Sequence, residues 1–254
     1  MIHPTAIIEK GAEIADGTDV GPFCVIGPGV RIGTGTRLIN HVNIDGLTTI
    51  GNSCTIHPFV SIGGPPQDIT YRGEETTCVV GSNNVIREYV TINRGTRSSG
   101  TTRIGDNNFI MAYSHIAHDC VVGSGVIMAN CATLGGHVHV ADFAILSGLC
   151  AIHQFCKVGR YAFVSGLTGV PKDIPPFVMA AGNRATLYGL NVVGLERRGF
   201  SKEEIADLKK AYRILFRSSL SLESSLKMIE EQLEGQYIKE LITFIRSSER
   251  GICR

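Results

Sequence analysis

The side chains best suited to chemistry in this sequence lie between residues 115 and 153. Five of the eight histidines fall in that segment, namely His115, His118, His137, His139 and His153. His118 is followed directly by Asp119, and a histidine beside a carboxylate is a natural general base at neutral pH. A glycine amide close to such a base can stabilise an oxyanion. This combination suits acyl transfer to a hydroxyl or an amine.

The spacing of these residues decides whether they can meet. Gly136 lies eighteen residues after His118, and Gln154 lies eighteen residues after Gly136. His137 stands in the same relation to Asp119. If eighteen residues form one coil of a parallel β-structure, residues at this spacing stack about 4.8 Å apart. The sequence therefore predicts one corner that gathers two imidazoles, a carboxylate, a glycine amide and a carboxamide.

Two other interpretations of the histidines remain open. A histidine on a corner is often only a polar surface residue, which we expect of His41 and His139. Three histidines from two coils or two chains can also bind zinc, and the HxxH spacing of His115 and His118 weakly permits this. No acidic or cysteine ligand is clearly placed to complete such a site, so we predict no metal.

A six-residue period supplies the coil. Every sixth residue from Ile2 to Ile62 is aliphatic, and the same phase returns at residues 80, 86 and 92 and from Ile104 to Val170, where Met128 is the one exception. The residue two positions earlier is usually small, and six cysteines occupy it: Cys24, Cys54, Cys78, Cys120, Cys150 and Cys156. A period of six fits a short strand followed by a corner, with three strands to a coil. We predict a mainly β fold, a parallel β-helix of about ten coils, whose cysteines are small buried residues.

Two polar segments interrupt the period, residues 63–79 and 93–103. Both are predicted as extruded loops, and long loops on a rigid scaffold often carry function. The β-helix is predicted over residues 1–183. A C-terminal α-helical domain is predicted over residues 184–254, because a capping box at Ser201 and Glu204 begins a helical pattern there. Weaker helices fit residues 222–234 and 237–248.

Charge and composition narrow the function. The first predicted helix carries Lys202, Lys209, Lys210, Arg213 and Arg217. These residues form either a solvated face or a dock for an acidic partner or a phosphate. The whole chain has a net charge of +1, which argues against broad nucleic-acid binding. Without a signal peptide, an apolar span or CxxC pairs, we expect a cytoplasmic protein with free thiols and no stable membrane insertion.

Several motifs together resemble the UDP-N-acetylglucosamine O-acyltransferase family, which starts lipid A synthesis. They are the hexapeptide repeats, GGPPQD, INRGT, HIAHDC, GGHV, IHQF and GLERRGF, and they span essentially the whole chain. HIAHDC followed by IHQF is more specific than a generic hexapeptide transferase pattern. The resemblance implies a homotrimer with active sites in the clefts between neighbouring prisms. Parallel β connections are normally right-handed. Only the resemblance implies that this β-helix is left-handed.

The resemblance also implies an activity and a role for each matching residue. The family moves an R-3-hydroxyacyl group from acyl carrier protein to the 3-position of UDP-N-acetylglucosamine. No cofactor is implied, because the donor is carried on the phosphopantetheine of acyl carrier protein. His118 matches the general base, the Gly136 amide matches the oxyanion donor, and Asp119, or Asp68 of a neighbour, would orient the base. Gly166 matches the floor of the acyl groove, where glycine leaves room for a long chain.

The remaining matches are implied substrate contacts. Sugar or nucleotide contacts match Gln67, Asp68, His115, His137, His153 and Gln154. The uridine-diphosphate end matches Asn191, Arg197 and Arg198, since arginine suits phosphate. The sequence departs from the family pattern at Thr70, where lysine is frequent, and at Val193, where glutamate is frequent. Both departures bear on whether the acceptor carries a 3-hydroxyl or a 3-amino group, and neither bears on the base.

Three alternatives compete with this function. One is another hexapeptide-repeat transferase, either acetyl-CoA-dependent or an N-acyltransferase. The N-acyltransferase sister family would carry an additional N-terminal domain, whereas the repeats here begin at Ile2. The others are a zinc-dependent hydro-lyase and a β-helical scaffold without catalysis.

Overall fold

A computed structural model describes the whole chain, from Met1 to Arg254, as a three-sided stack of short strands. The first sheet holds β1 (Ile7–Ile8), β4 (Val25–Ile26), β7 (Asn43–Ile44), β10 (Ser61–Gly64), β13 (Thr91–Asn93), β16 (His115–Ile116), β19 (Thr133–Leu134), β22 (Ala151–Ile152) and β25 (Gly169–Val170). The second sheet holds β2 (Glu13–Ile14), β5 (Arg31–Ile32), β8 (Leu47–Ile50), β11 (Thr77–Val80), β14 (Thr101–Ile104), β17 (Val121–Val122), β20 (His139–Val140) and β23 (Lys157–Val158). The third sheet holds β3 (Asp19–Val20), β6 (Arg37–Leu38), β9 (Thr55–Ile56), β12 (Val85–Ile86), β15 (Phe109–Ile110), β18 (Ile127–Met128), β21 (Ile145–Leu146), β24 (Phe163–Val164), β26 (Val178–Ala181) and β27 (Thr186–Leu190). All neighbouring strands are parallel except β26 and β27, which confirms the predicted parallel β-helix.

The six-residue period determines which side chains point into the prism. Ile116 pairs with Leu134, and Leu134 pairs with Ile152, so residues eighteen apart stack in register. These side chains are buried within one continuous aliphatic core. The six cysteines two positions before such residues are buried as well, and burial raises the pKa of the Cys78 and Cys120 thiols to about 12. They remain protonated at neutral pH, which confirms that they serve as small apolar residues.

The three corners of each coil share one backbone conformation. We name them in chain order: the first corner joins the first sheet to the second, the second corner joins the second to the third, and the third corner leads back to the first. The third residue after the inward aliphatic one has a positive φ in most coils, including Asp119 (60°) and His137 (61°). Except for Gly63, the glycines directly after the aliphatic residue have ordinary φ and are needed for close stacking instead. A Cβ at Gly81 would lie 2.7 Å from the carbonyl oxygen of Gly105.

A ladder of polar side chains lies inside the prism behind the second corner. The Nδ2 of Asn84 donates hydrogen bonds to the carbonyl oxygens of Gly81 and Gly105, each at 2.9 Å. Its Oδ1 accepts a hydrogen bond from the backbone N–H of Asn108 at 2.8 Å, and the Oδ1 of Asn108 accepts one from Val126 at 2.7 Å. These side chains satisfy backbone groups that the corner leaves unpaired in the core.

Both predicted loops leave the prism at the first corner. One connects β10 to β11 and the other connects β13 to β14, so the ends of the predicted loops 63–79 and 93–103 are strand residues. The two loops lie one and two coils before the strand β16 that carries His115. They therefore lie beside the corner at which His118 and Asp119 are placed.

The chain ends in four helices packed around a second apolar core. They are α1 (Val192–Arg197), α2 (Lys202–Phe216), α3 (Leu222–Gln232) and α4 (Gln236–Arg246). The capping box at the start of α2 is confirmed, since Ser201 and Glu204 each bond the backbone N–H of the other. The two weaker predicted helices are α3 and α4. Strand β27 lies beyond residue 183, where the sequence placed the domain boundary, and it still pairs with the third sheet. No helix has the length and apolar character needed to cross a membrane.

Candidate active site

The first corner brings together the residues that the eighteen-residue spacing predicted. The backbone N–H of His137 donates to the carbonyl oxygen of His118 at 3.0 Å, one coil below. The N–H of Phe155 donates to the carbonyl oxygen of Gly136, also at 3.0 Å. His118, Gly136 and Gln154 therefore follow one another along one corner, and the predicted vertical register is confirmed.

His118 and Asp119 form a hydrogen-bonded dyad. The Nδ1 of His118 lies 2.8 Å from the Oδ2 of Asp119, whose carboxylate is fully buried. Although burial by itself raises the pKa of Asp119, hydrogen bonds from Ser99, His118 and Thr96 together lower it to about 2. An ionised carboxylate only accepts hydrogen bonds, so the Nδ1 of His118 carries the proton. The Nε2 of His118 is left as the basic nitrogen, and it has no hydrogen-bond partner in the chain.

The loop between β13 and β14 holds the buried carboxylate in place. The backbone N–H of Thr96 donates to the Oδ1 of Asp119 at 2.9 Å, and the Thr96 hydroxyl donates to Oδ2 at 2.7 Å. The Ser99 hydroxyl also donates to Oδ1. The hydroxyl of Thr102 accepts the N–H of Asp119 at 2.8 Å. Sequence reasoning predicted a functional loop but did not find Thr96 or Ser99, because residues in an extruded loop follow no period.

Gly136 lies directly against the imidazole of His118. A Cβ at this position would be 2.6 Å from the Cε1 and 2.8 Å from the Nε2 of His118, so no larger residue fits without moving the base. The N–H of Gly136 donates no hydrogen bond within the chain. A free amide donor beside the basic nitrogen is the arrangement needed for an oxyanion that forms as the base takes a proton.

His137 and His115 flank the dyad. The Nε2 of His137 lies 3.4 Å from the Oδ2 of Asp119, and its ring stacks on Phe155 with centroids 4.4 Å apart. Burial lowers the pKa of His137 more than the charge of Asp119 raises it. Burial, aided by the charge of His118, also lowers the pKa of His115, whose Nδ1 lies 2.7 Å from the hydroxyl of Thr91. Both imidazoles are therefore neutral at physiological pH and suit hydrogen bonding to a substrate.

The loop between β10 and β11 places Gln67 and Asp68 near the dyad of the same chain. Gln67 is exposed, and the Oδ1 of Asp68 accepts hydrogen bonds from the N–H and the hydroxyl of Thr70 at 2.7 and 2.8 Å. These bonds lower the pKa of Asp68, and the charge of His118 lowers it further. Of the two orienting groups that the resemblance implied, Asp119 of the same chain is the one that bonds His118 here.

His118, Asp119 and His137 also form the one cluster close enough to ligate a metal, since their donor atoms lie within 4.8 Å of one another. This corrects the expectation that no acidic ligand is placed to complete a metal site. The donor set fits a metal poorly, however. The Asp119 oxygens already accept hydrogen bonds from Thr96, Ser99 and His118, and the His118 nitrogen that faces them carries a proton. A metal ion bound between these side chains would compete with the hydrogen bonds to Oδ2 and would require loss of the Nδ1 proton of His118.

The other predicted contacts are spread over the prism. His153 and Gln154 lie exposed on the first corner, one coil further along the chain than Gly136. Asn191 lies beside the second corner, where its Nδ2 donates to the carbonyl oxygen of Tyr161 at 3.1 Å and its Oδ1 caps helix α1. The guanidinium of Arg198 lies over the ring of Phe143 on the same corner, 4.6 Å from its centroid.

Two predicted residues have open surroundings. Arg197 is exposed on α1 and forms no ion pair. Gly166 is exposed on the third corner, where a Cβ would meet only the carbonyl oxygen of Gly148, at 3.2 Å. One chain therefore places the predicted base, the predicted uridine-diphosphate contacts and the predicted acyl-groove residue on three different corners.

Comparison with known proteins places this geometry in a family. The family described as Udp N-acetylglucosamine O-acyltransferase, Domain 2, matches residues 173–253, and the bacterial transferase hexapeptide family matches residues 101–136. A relative from Thermodesulfovibrio yellowstonii, named acyl-[acyl-carrier-protein]--UDP-N-acetylglucosamine O-acyltransferase, is 58% identical over all of this chain and 99% of its own length. A relative of the same name from Janthinobacterium is 48% identical with the same coverage. The chain belongs to the UDP-N-acetylglucosamine O-acyltransferase family.

Solved structures of UDP-N-acetylglucosamine acyltransferases agree with this assignment. The crystal structure from Bacteroides fragilis covers 100% of both chains with a TM-score of 0.98 and 41% identity. The structure from Arabidopsis also covers both chains completely, with a TM-score of 0.89 and 37% identity. The fold that this UDP-N-acetylglucosamine O-acyltransferase chain shares with them is a left-handed parallel β-helix followed by C-terminal helices, as the resemblance implied.

Proposed function

We propose that this chain is an acyltransferase that moves an R-3-hydroxyacyl group from acyl carrier protein to the 3-position of UDP-N-acetylglucosamine, in the first step of lipid A biosynthesis. The observation that carries the proposal is the dyad at the first corner. A buried ionised Asp119 fixes His118 so that its Nε2 is free and basic, beside the unpaired amide of Gly136. The names of the full-length relatives support the same reaction.

In the proposed transfer, His118, Gly136 and Asp119 each have one role. The Nε2 of His118 takes the proton of the sugar 3-hydroxyl, and the hydroxyl oxygen attacks the thioester carbonyl. The amide of Gly136 donates to the oxyanion of the tetrahedral intermediate. The carbon–sulfur bond then breaks, and the phosphopantetheine thiolate leaves and takes up the proton from His118. Asp119 stabilises the transient imidazolium and keeps its proton on Nδ1.

A second chain is part of the proposed site. The third corner exposes a column of stacked rings with neighbouring centroids 4.9 to 5.0 Å apart, formed by Phe23, His41, Phe59, Tyr89 and Tyr113. Leu149 and Leu167 continue this column toward the helices and are also exposed. A contiguous apolar strip of this kind supports contact with another copy of the chain. We propose a homotrimer in which a neighbour brings a different corner to His118, which sedimentation equilibrium would reveal as three times 27.3 kDa.

Gly166 is proposed to set the length of the acyl chain. It is exposed with ordinary backbone angles, so a side chain at this position would extend into the space outside the prism. We expect Gly166→Met to shift transfer toward shorter acyl donors without a loss of folding. Mass spectrometry of the products from a mixed pool of donors would measure the shift, and an unchanged distribution of chain lengths would refute the assignment.

The alternatives are less well supported. The full-length relatives named above carry the O-acyltransferase name, so an acetyl-CoA-dependent transferase or a hydro-lyase is not favoured. At the first departure from the family pattern, Thr70 bonds Asp68, and at the second, Val193 is exposed on α1. Neither contact distinguishes a 3-hydroxyl acceptor from a 3-amino acceptor. The preference is tested directly by offering UDP-N-acetylglucosamine and its 3-amino analogue together.

The deciding experiment is a transfer assay with purified protein, acyl-loaded carrier protein and a radiolabelled UDP-sugar. We expect an O-acylated UDP-sugar as product, with His118→Ala reducing kcat by at least a hundredfold, in the range of typical general-base effects. The variant should keep the oligomeric state and thermal midpoint of the parent. Turnover near the parent rate in His118→Ala would refute the base assignment.

A further inference from the structure

The five residues Ile92 to Thr96, which we call the INRGT segment, connect the two loops to the dyad. The segment begins at the end of β13 and leads into the loop that holds Asp119. Its side chains point in two directions. Thr96 bonds the carboxylate of Asp119, whereas Asn93 and Arg94 bond the loop that carries Gln67 and Asp68. This motif contributes to the family resemblance, but neither the resemblance nor the proposed mechanism gives it a role.

Hydrogen-bond donors reach both oxygens of the Asp119 carboxylate. The hydroxyl of Thr96 donates to the same Oδ2 that accepts the Nδ1 proton of His118. Ser99 and the backbone N–H of Thr96 donate to the other oxygen, Oδ1. Thr96 is itself buried, so water cannot replace its hydroxyl. Hydrogen bonds to a buried carboxylate are among the strongest in proteins, and they fix its orientation as well as its charge.

The bonds to the other loop are placed on both sides of Gln67 and Asp68. The Nδ2 of Asn93 donates to the carbonyl oxygen of Pro65 at 2.8 Å. The Nη1 of Arg94 donates to the carbonyl oxygen of Gly63 at 2.8 Å, and its Nη2 donates to the hydroxyl of Tyr71 at 2.9 Å. The guanidinium of Arg94 therefore ties the beginning of this loop to its middle, and the pair Gln67–Asp68 is held between the two attachment points.

We propose that the INRGT segment is a positioning element with two separate tasks: Thr96, together with Ser99, orients the Asp119–His118 dyad, and Arg94, together with Asn93, orients the loop that carries Gln67 and Asp68. The inference rests on the proposed acyl transfer for its kinetic test. The two tasks predict different kinetic defects. Loss of the first disturbs the proton transfer and lowers kcat, whereas loss of the second disturbs acceptor binding and raises KM for the UDP-sugar.

Thr96→Val tests the first task, because valine keeps the shape of threonine and removes the hydroxyl. We expect kcat to fall about tenfold with little change in KM, as for one charged hydrogen bond. Without the hydroxyl of Thr96, less of the negative charge of Asp119 is offset by hydrogen bonding. This charge then stabilises the imidazolium of His118 more strongly, so the acid limb of the pH–rate profile moves to higher pH. NMR titration of His118 without substrates should show the same upward shift. His137, His115 and Asp68 also face the dyad and remain unchanged in this variant.

Matched variants separate orientation from folding. Thr96→Ser keeps the hydroxyl and should restore kcat and the pH profile. Ser99→Ala should reproduce part of the defect, whereas Ser98→Ala in the same loop should not, because the Ser98 side chain forms no hydrogen bond. Parent-like kinetics in Thr96→Val, or an equal defect in Thr96→Ser, would overturn the role of Thr96.

Arg94→Met tests the second task, because it keeps the length of the side chain and removes the guanidinium. We expect KM for the UDP-sugar to rise about tenfold while kcat stays within twofold and the NMR titration of His118 is unchanged. Arg103→Met, at an exposed position on β14, is the charge-matched control and should behave as the parent. An unchanged KM in Arg94→Met would overturn this half of the inference. If the parent itself transfers no acyl group, the proposed function fails, whereas the His118 titration still tests the dyad in Thr96→Val.

Discussion

At the scale of single residues, spacing predicted more of the site than residue type did. His118, Gly136 and Gln154 follow the eighteen-residue coil, and their register on the first corner could be derived from the sequence. The donors to Asp119 could not be derived in this way, because Thr96 and Ser99 lie in a loop whose path depends on tertiary contacts. Asn191 shows the opposite case, since the resemblance implied a nucleotide contact and the structure uses both ends of its side chain within the chain.

The contact between Gly136 and the base leads to a prediction for Gly136→Ala. A Cβ there would lie 2.6 Å from the imidazole of His118, so the ring must move away from its present position. Misplacing a catalytic group by about 1 Å costs on the order of a hundredfold in rate. We therefore expect kcat to fall on that order, with the thermal midpoint nearly unchanged, because the backbone at this position has an ordinary φ. Steady-state kinetics and calorimetry on the same sample would measure both, and a kcat close to that of the parent would show that the ring has room to move.

At the scale of strands and corners, the six-residue period was sufficient to predict the three sheets and their aliphatic core. It was not sufficient to predict how the corners are built. Many corner residues with positive φ are aromatic or polar, such as Phe23 and Asp119. From the high glycine content alone, one would expect glycines at these positions. The glycines next to the inward aliphatic residues serve the close approach of successive coils, a requirement that becomes visible only when the coils are stacked.

The ladder behind the second corner supports a prediction of stability. Asn84→Ala removes three hydrogen bonds and leaves the carbonyl oxygen of Gly105 and the N–H of Asn108 unpaired in the core, while the carbonyl oxygen of Gly81 keeps only the weak thiol donor of Cys54. Each unpaired buried group costs about 1–3 kcal/mol. We expect the free energy of unfolding to fall by about 3 kcal/mol or more, measured by urea denaturation. Asn52→Ala removes an exposed asparagine one coil earlier and is the control. A loss no larger than in this control would contradict the role of the ladder.

At the scale of the whole molecule, the proposed substrate contacts of a single chain are distributed over three different corners of the prism. His118 lies on the first corner, Arg198 lies beside the second and Gly166 lies on the third. The sequence predicted the coil position of each residue, but it contains no information on how neighbouring prisms face one another. The exposed ring column on the third corner is the observation that points to such a neighbour.

We propose that the exposed cations of helix α2 form the docking surface for the acyl carrier protein. Lys209, Lys210 and Arg213 are exposed, and none of them forms an ion pair within the chain. We expect Lys209→Glu combined with Lys210→Glu to raise KM for the acyl carrier protein severalfold at unchanged kcat, because opposite charges steer association. Added salt should have the same effect on the parent enzyme, since it screens exposed charges. Lys10→Glu, in the second predicted hexapeptide and far from the helices, is the control. A KM that stays constant in the double variant would place the docking surface elsewhere.

The register between successive coils has a consequence for how the length of this protein can change. Away from the two loops, successive coils pair with an offset of eighteen residues, as in Ile26 with Ile44 and Leu134 with Ile152. Across the loops the paired residues are further apart in sequence, as in Ile62 with Ile92, but the inward aliphatic residues still pair with one another. Insertion or loss of one complete coil near the N-terminus would therefore lengthen or shorten the prism and leave the catalytic corner intact. Insertion of six residues between Ile104 and Ile116, by contrast, would move His118 onto the adjacent corner and separate it from the two loops that precede it. Evolution of prism length in such a protein should proceed in whole turns.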